Sequence, residues 1–228
     1  FLTPEARAAL EAASPSFAGG APLWLSKLWD DALPSREFVH TTDVYRGQIG
    51  LEGDFDYADR NFYWSASYSR AEVKGETRGW DIWNERLRNA VNAINVDGKI
   101  VCRNMDPSCV PVNMFGTGRV TPEMRDYIVL PVGQTYDNTQ DNFLATIGGD
   151  VFELPAGPLS FSLAYEYRAE ESSFTPSQAS QQGLVGTGST SVPTGGKYNT
   201  NEFSAELLVP IFGGDFTLPF VQSLEIDG

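Results

Sequence analysis

Histidine and cysteine are scarce in this chain: His40 is its one imidazole, and Cys102 and Cys109 are its two thiols in 228 residues. Zinc sites draw three or four ligands mainly from these two residue types, so a zinc centre built on imidazole and thiolate is excluded. Nucleophilic catalysis loses its usual parts as well, because no Ser-His-Asp or Cys-His set assembles around a single histidine. No enzymatic activity and no cofactor are expected. Positive charge is short too. Sixteen Lys and Arg stand against 30 Asp and Glu, a formal charge of −14 with no basic cluster. Nucleic acid is therefore not an expected partner, since phosphate binding works through basic side chains that release counterions. Long apolar runs are missing: nothing approaches the roughly 20 residues a helix needs to cross a bilayer. That absence leaves membrane strands open, because barrel strands alternate and average to an ordinary hydropathy, here a mean of −0.25.

What the chain does contain favours strands and turns: 22 Gly, 14 Pro and 12% aromatic residues. A period of two recurs along it. Tyr45, Ile49, Leu51 and Phe55 alternate with Arg46, Gln48, Glu52 and Asp54, and after Asp56–Arg60 the even positions Phe62, Trp64, Ala66 and Tyr68 are apolar against serines. Phe143, Ala145, Ile147 and Val151 repeat the pattern up to a Pro155-Ala156-Gly157-Pro158 turn. Leu159, Phe161, Leu163, Tyr165 and Tyr167 then alternate with Ser160, Ser162, Ala164, Glu166 and Arg168. Phe203, Ala205, Leu207 and Val209 lead to Gly213-Gly214-Asp215 and on to Leu218, Phe220, Leu224 and Ile226. These are six strands in three hairpins, over 37–75, 139–172 and 198–228.

Long connections over 76–138 and 173–197 separate the hairpins, and 1–36 reads as a loop with helical runs at Pro4–Ala13 and Pro22–Ala32. A structureless loop longer than about 12 to 15 residues is uncommon in a compact soluble domain, whereas outer-membrane barrels pair short periplasmic turns with long extracellular loops. Within the first long loop, Trp83, Leu87, Val91 and Ile94 are spaced as one face of a helix. That face suits a covered core as well as a bound ligand. The opening residues carry no signal-peptide pattern, and LEIDG stops inside an alternating segment, so the chain reads as a piece of a longer polypeptide.

Few motifs carry chemistry. Cys102 and Cys109 flank RNMDPS, whose Asp-Pro pair favours a turn, and a disulfide is the preferred reading over two free thiols. Asp54, Asp56 and Asp59 fit a solvated hairpin tip better than a calcium loop, lacking the glycine and distal Glu of an EF-hand. GTGSTSVPTGGK lacks phosphate-loop spacing and reads as a surface loop. Glu170 and Glu171 are strand neighbours that point to opposite faces, a poor glycosidase pair. Trp24, Trp29, Trp80 and Trp83 lie outside the assigned strands, where they either stack on a ligand or pack loops together. Trp80, Asp81 and Trp83 are the ligand-facing loop candidates. Trp64, Tyr45, Tyr165 and Tyr167 suit an interfacial aromatic girdle or a sandwich core equally.

Three segments together resemble a known family: CVPVNMFGTGRVTPEMRDYI, NFLATIGGDVFELPAGPLSFSLAYEYRAEESSF and GGKYNTNEFSAELLVPIF. They are similar to the barrel region of TonB-dependent outer-membrane receptors of Gram-negative bacteria. The likeness rests on Cys109–Gly116, on the Leu154–Pro158 turn, on Glu166–Arg168 and on Ala205–Pro210, and it covers about Ile100 to Gly228 well. The resemblance implies a plugged barrel of about 22 strands in the outer membrane, taking up a scarce ligand such as a siderophore, cobalamin or oligosaccharide with energy delivered through TonB. The whole chain, 1–228, would then be a partial, mainly β, antiparallel transmembrane barrel segment. Its partners would be outer-membrane lipid, TonB through a plug region outside this sequence, and an unidentified small molecule. The alternative is a soluble secreted β-rich module that binds carbohydrate or another ligand.

Overall fold

A computed structural model describes residues 2, 4–21, 25–33 and 37–228. It is mainly antiparallel β. The principal sheet runs β1 (Val39–Tyr57), β2 (Arg60–Ile82), β5 (Val129–Leu154), β6 (Gly157–Pro176), β7 (Thr194–Phe212) and β8 (Leu224–Asp227), each strand beside the next in that order. A separate hairpin joins β3 (Ala93–Val96) to β4 (Lys99–Cys102). Among the described residues five helices punctuate the loops: α1 (Pro4–Ala13), α2 (Pro15–Ala18), α3 (Asn84–Val91), α4 (Pro122–Ile128) and α5 (Gln178–Gln181).

The turns follow from local chemistry. Ala58 and Asp59 take φ of 53° and 58° between β1 and β2, the left-handed pair of a two-residue hairpin whose twist matches its strands. Asp97 and Gly98, at 50° and 81°, close β3 onto β4 the same way. Thr121 caps α4 by accepting from the Met124 N–H at 3.3 Å, with Pro122 at the first helical position.

Several sequence expectations change. The described residues form eight strands rather than six, and their principal sheet is open: β1 and β8 each have one neighbour, and no closed barrel forms among them. β2 continues to Ile82 and β5 begins at Val129, so part of the expected 76–138 loop is strand, and Trp80 and Asp81 lie on β2. Backbone pairing carries those strands past the point where alternation fades. β8 is four residues long and excludes Leu218 and Phe220; isolated bridges Gly213↔Phe216 and Leu218↔Val221 fill the connection instead. Residues 25–33 form no helix, because Trp29, Ala32 and Leu33 turn into an apolar cluster; the first part of the expected Pro22–Ala32 helix, with Trp24, lies outside the described residues. Ile94 leaves the α3 stripe to pair with Val101 in the β3–β4 hairpin.

The chain forms two compact units: Thr42–Gly75, Tyr136–Phe174 and Thr194–Gly228 make one, and Phe1–Thr41, Glu76–Thr135 and Thr175–Pro193 make the other. The first is the sheet unit and the second the loop unit.

In the sheet unit each strand has one apolar and one polar face. Phe55 stacks on Phe62 at 5.4 Å between centroids, Phe62 meets Phe161 at 6.2 Å, Phe143 meets Tyr165 at 6.3 Å, and Tyr165 meets Phe203 at 4.8 Å. The register Phe161↔Leu207, Leu163↔Ala205, Tyr165↔Phe203 and Val209↔Ile226 extends this face to β8. It is uncovered: Ile49 is 70% exposed, Leu51 68% and Phe203 81%. The other face is a polar ladder. Ser65 bonds Thr146 at 2.6 Å, Ser160 donates to Asp150, Asn142 and Arg168 donate to Glu166, and Gln140 and Tyr198 donate to Glu170.

In the loop unit a small core gathers Ala32, Leu33, Ile82, Ala90, Val112, Tyr127 and Ile128. Cys102 and Cys109 are joined, with sulfurs 2.00 Å apart and Cα atoms 6.1 Å apart, and neither is a free thiol. Asp106 organises the loop between them, accepting from the Ser108 N–H and hydroxyl, both at 2.8 Å.

Candidate functional site

The loop unit contains a hollow of about 1000 Å³ where the ends of β2, β5 and β6 lie side by side. β2 contributes Glu76 to Trp80, β5 contributes Leu130 to Thr135, and α5 with its flanks contributes Ser177, Gln178 and Gln182. Glu37, Val39, Trp83 and Leu184 also line it. The structure thus brings Trp80 and Trp83 to one cavity but not Asp81, whose Oδ1 accepts from the Ile82 N–H at 2.7 Å instead.

The two tryptophans are held differently. Trp80 is 57% exposed. Trp83 precedes α3 and is anchored: its N–H donates to the Ile128 carbonyl at 2.8 Å, and the Arg86 guanidinium lies 4.1 Å from its ring centre. Arg86 also stands over Tyr127 at 5.3 Å and donates to its carbonyl at 3.1 Å. The indole N–H of Trp83 is nonetheless buried with no acceptor among the described residues. Trp29 packs on the apolar cluster, so its role is in the core.

Charge in the cavity is nearly cancelled. Arg78 donates to Glu76 at 2.5 Å, and that carboxylate raises the guanidinium above its ordinary value. Glu37 adds one further negative charge. Thr77 is buried and bonds the Nδ1 of His40 at 2.9 Å, which places the one histidine in a strand-to-strand contact. Phe38 fills the space over Gly79, where a Cβ would stand 2.5 Å from its ring.

The glycine-rich segment is tied to the start of α3. Asn84 donates through its N–H to the Leu184 carbonyl and through Nδ2 to the Gly186 carbonyl, at 2.8 and 3.1 Å. Gly183 has φ +65° and leaves no room for a Cβ against the Gly188 carbonyl. The loop is pinned, with no phosphate-cradling form.

Sequence reasoning misses Gln134, Gln178 and Gln182, which reach the cavity from segments far apart in the chain. Only the sheet order brings them beside Trp80. Among the described residues no group of three or more His, Cys, Asp or Glu is placed to hold a metal ion; Asp54, Asp56 and Asp59 surround the β1–β2 turn, where Asp56 accepts from Asn61 at 3.2 Å. No protein-family model matches the chain, and no curated protein matches it.

Proposed function

We propose that this chain is part of a TonB-dependent outer-membrane receptor, in which the sheet unit supplies lipid-facing wall and the cavity of the loop unit receives the ligand. One observation carries the reading: the uncovered face of the sheet unit is a band, not a patch. On β5 its alternating apolar positions run from Phe143 to Val151 and on β6 from Leu159 to Tyr167, nine residues each, with Phe143, Ile147 and Leu163 exposed and most of the rest half-buried between neighbouring strands. Nine residues falls within the length of about 9 to 11 that a tilted strand needs to span a bilayer core.

The border of the band supports the same reading. Beyond Tyr68 the same face of β2 carries Arg70, Glu72 and Lys74, and beyond Phe143 β5 carries Asp141 and Asp137. Tyrosine hydroxyls mark the change: Tyr68 donates to Asp141 at 2.5 Å and Tyr165 to Asn201 at 2.8 Å. A ring in hydrocarbon with its hydroxyl in a polar layer is the arrangement of an aromatic girdle. A soluble sandwich needs a second layer over these side chains, and their exposure is the argument against it. The polar ladder suits a lumen. An open sheet leaves β1 and β8 edges for further strands, in accord with a wall completed by the rest of a longer receptor, whose plug region would engage TonB.

The test is fractionation of the source cells, with boiled and unboiled outer membrane compared by an antibody raised to this sequence. A heat-modifiable outer-membrane band much larger than 25.0 kDa is expected. A soluble band near that mass overturns the reading.

A further inference from the structure

We infer that the cavity at Trp80 binds a neutral oligosaccharide. The inference deepens the receptor reading and rests on its ligand cavity, and four features of that cavity narrow the chemistry.

The first is charge. Arg78 is occupied by Glu76, and Glu37 leaves the wall negative by one. A phosphorylated ligand or an anionic iron chelate would find no unpaired cation there, and removing its charge from water would go uncompensated. The second is the exposed indole of Trp80, a broad apolar plate in a largely apolar wall. Sugar rings present flat C–H faces that cover such a plate, while their hydroxyls stay at its rim.

The third feature is the kind of polar group that is free. The side chains of Gln134, Gln178 and Gln182 have no hydrogen bond among the described residues, and all three are exposed at the cavity. A carboxamide offers both donors and an acceptor, the complement of a hydroxyl that does both. Gln178 and Gln182 are four residues apart across α5, with the Gln182 N–H donating to the Gln178 carbonyl at 3.0 Å, so they share one side of that turn. The fourth is size. About 1000 Å³ stands at the upper end of small-molecule sites, roughly 300 to 1,000 Å³, room for several sugar units rather than one.

The experiment is calorimetric titration of the full-length polypeptide in lauryldimethylamine oxide, a detergent without a sugar headgroup, after its heat-modifiability has been recorded. The probes are maltohexaose, cellohexaose, xylohexaose and mannohexaose, beside a ferric catecholate and a ferric hydroxamate chelate. At least one hexaose is expected to bind. Trp80→Ala, and separately the pair Gln178→Ala with Gln182→Ala, should each weaken it tenfold or more, while Trp80→Phe retains part of the affinity. All these side chains are exposed, and an unchanged heat-modifiable band confirms that each variant is folded. No hexaose binding, binding of a chelate instead, or hexaose binding that survives both truncations overturns the inference. The receptor reading falls separately, if the protein forms no heat-modifiable outer-membrane band.

Discussion

The Tyr136 ring on β5 occupies the space above Gly75 on β2, where a Cβ would stand 2.0 Å from it, and its hydroxyl reaches on to Thr42 of β1 at 3.1 Å. Three strands are thereby keyed by one side chain. Gly148 repeats the device under Tyr63, with 2.3 Å left for a Cβ. An aromatic ring laid over a strand glycine pins register, because a slip of one residue sends the ring to the other face.

Gly75→Val should therefore destabilise, even though a valine restricts the unfolded chain and suits a strand. The Tyr136 ring must move off β2, an overpacking penalty of about 1 to 3 kcal/mol. Tyr136→Phe, which removes only the bond to Thr42, should stay within about 1 kcal/mol. Urea-unfolding midpoints of the folded protein, followed by tryptophan fluorescence, separate the two. Equal effects would show that the ring does not depend on Gly75.

Leu163 and Ser162 are neighbours on β6 that face opposite ways. If Leu163 lies near the bilayer midplane, Leu163→Arg should lose roughly 2 to 4 kcal/mol and lower the amount of folded receptor in the outer membrane. Ser162→Arg, on the polar face, should leave that amount close to normal. Equal tolerance of both would remove the lipid-facing assignment.

The strands of the sheet unit were legible because each has one apolar and one polar face: Leu159, Phe161 and Leu163 cannot exchange places with Ser160 and Ser162 without sending every side chain to the other face. Beyond the band that constraint ends. Over 74–80 the buried positions are Gly75, Thr77 and Gly79, which lie under aromatic rings or bond a histidine but carry no hydropathy of their own, so β2 extends there unannounced. Helix α1 was legible over Pro4–Ala13, and Trp83, Leu87 and Val91 pointed to α3. The signals for α4 and the β3–β4 hairpin are present as Thr121-Pro122-Glu123 and Asp97-Gly98, but lie in segments too short for periodicity to register. The cavity was half legible. Its tryptophans are conspicuous, whereas Gln134, Gln178 and Gln182 become neighbours only through the β2–β5–β6 order.

The Cys102–Cys109 bridge closes a span of seven residues. Loop-closure entropy for a ring of that size gives about 2 kcal/mol of local stabilisation. Replacing both cysteines by serine should therefore loosen Arg103–Ser108 and the Val110–Val112 strand of chain that packs behind it. Hydrogen exchange by mass spectrometry should rise in 99–114 and stay unchanged in 142–168. Exchange that rises equally in both would show that the bridge supports the whole chain rather than its loop.

Asp31 ties residues 25–33 to the loop at 116–120. Its side chain is 8% exposed, and its Oδ2 accepts from Lys27 at 3.0 Å, from the Arg119 N–H at 3.1 Å and from the Val120 N–H at 3.3 Å, while Lys27 also donates to the Gly116 carbonyl at 2.8 Å. Burial pushes the carboxyl up, but the bonds from Lys27, Arg119 and Val120 outweigh it and hold the group below its ordinary 3.8. A carboxyl depressed by folding contributes stability that is present above the unfolded value and lost as pH falls through the folded one. The loop unit should thus keep its full contribution from Asp31 at neutral pH and lose it progressively below about 3.8. Asp31→Asn, unable to ionise, should be less stable at pH 7 and show a smaller change on acidification. Urea unfolding followed by tryptophan fluorescence from pH 7 to pH 2, for both proteins, reads the difference. Curves that stay parallel across the acid range would mean that the Asp31 proton is not linked to folding of this unit.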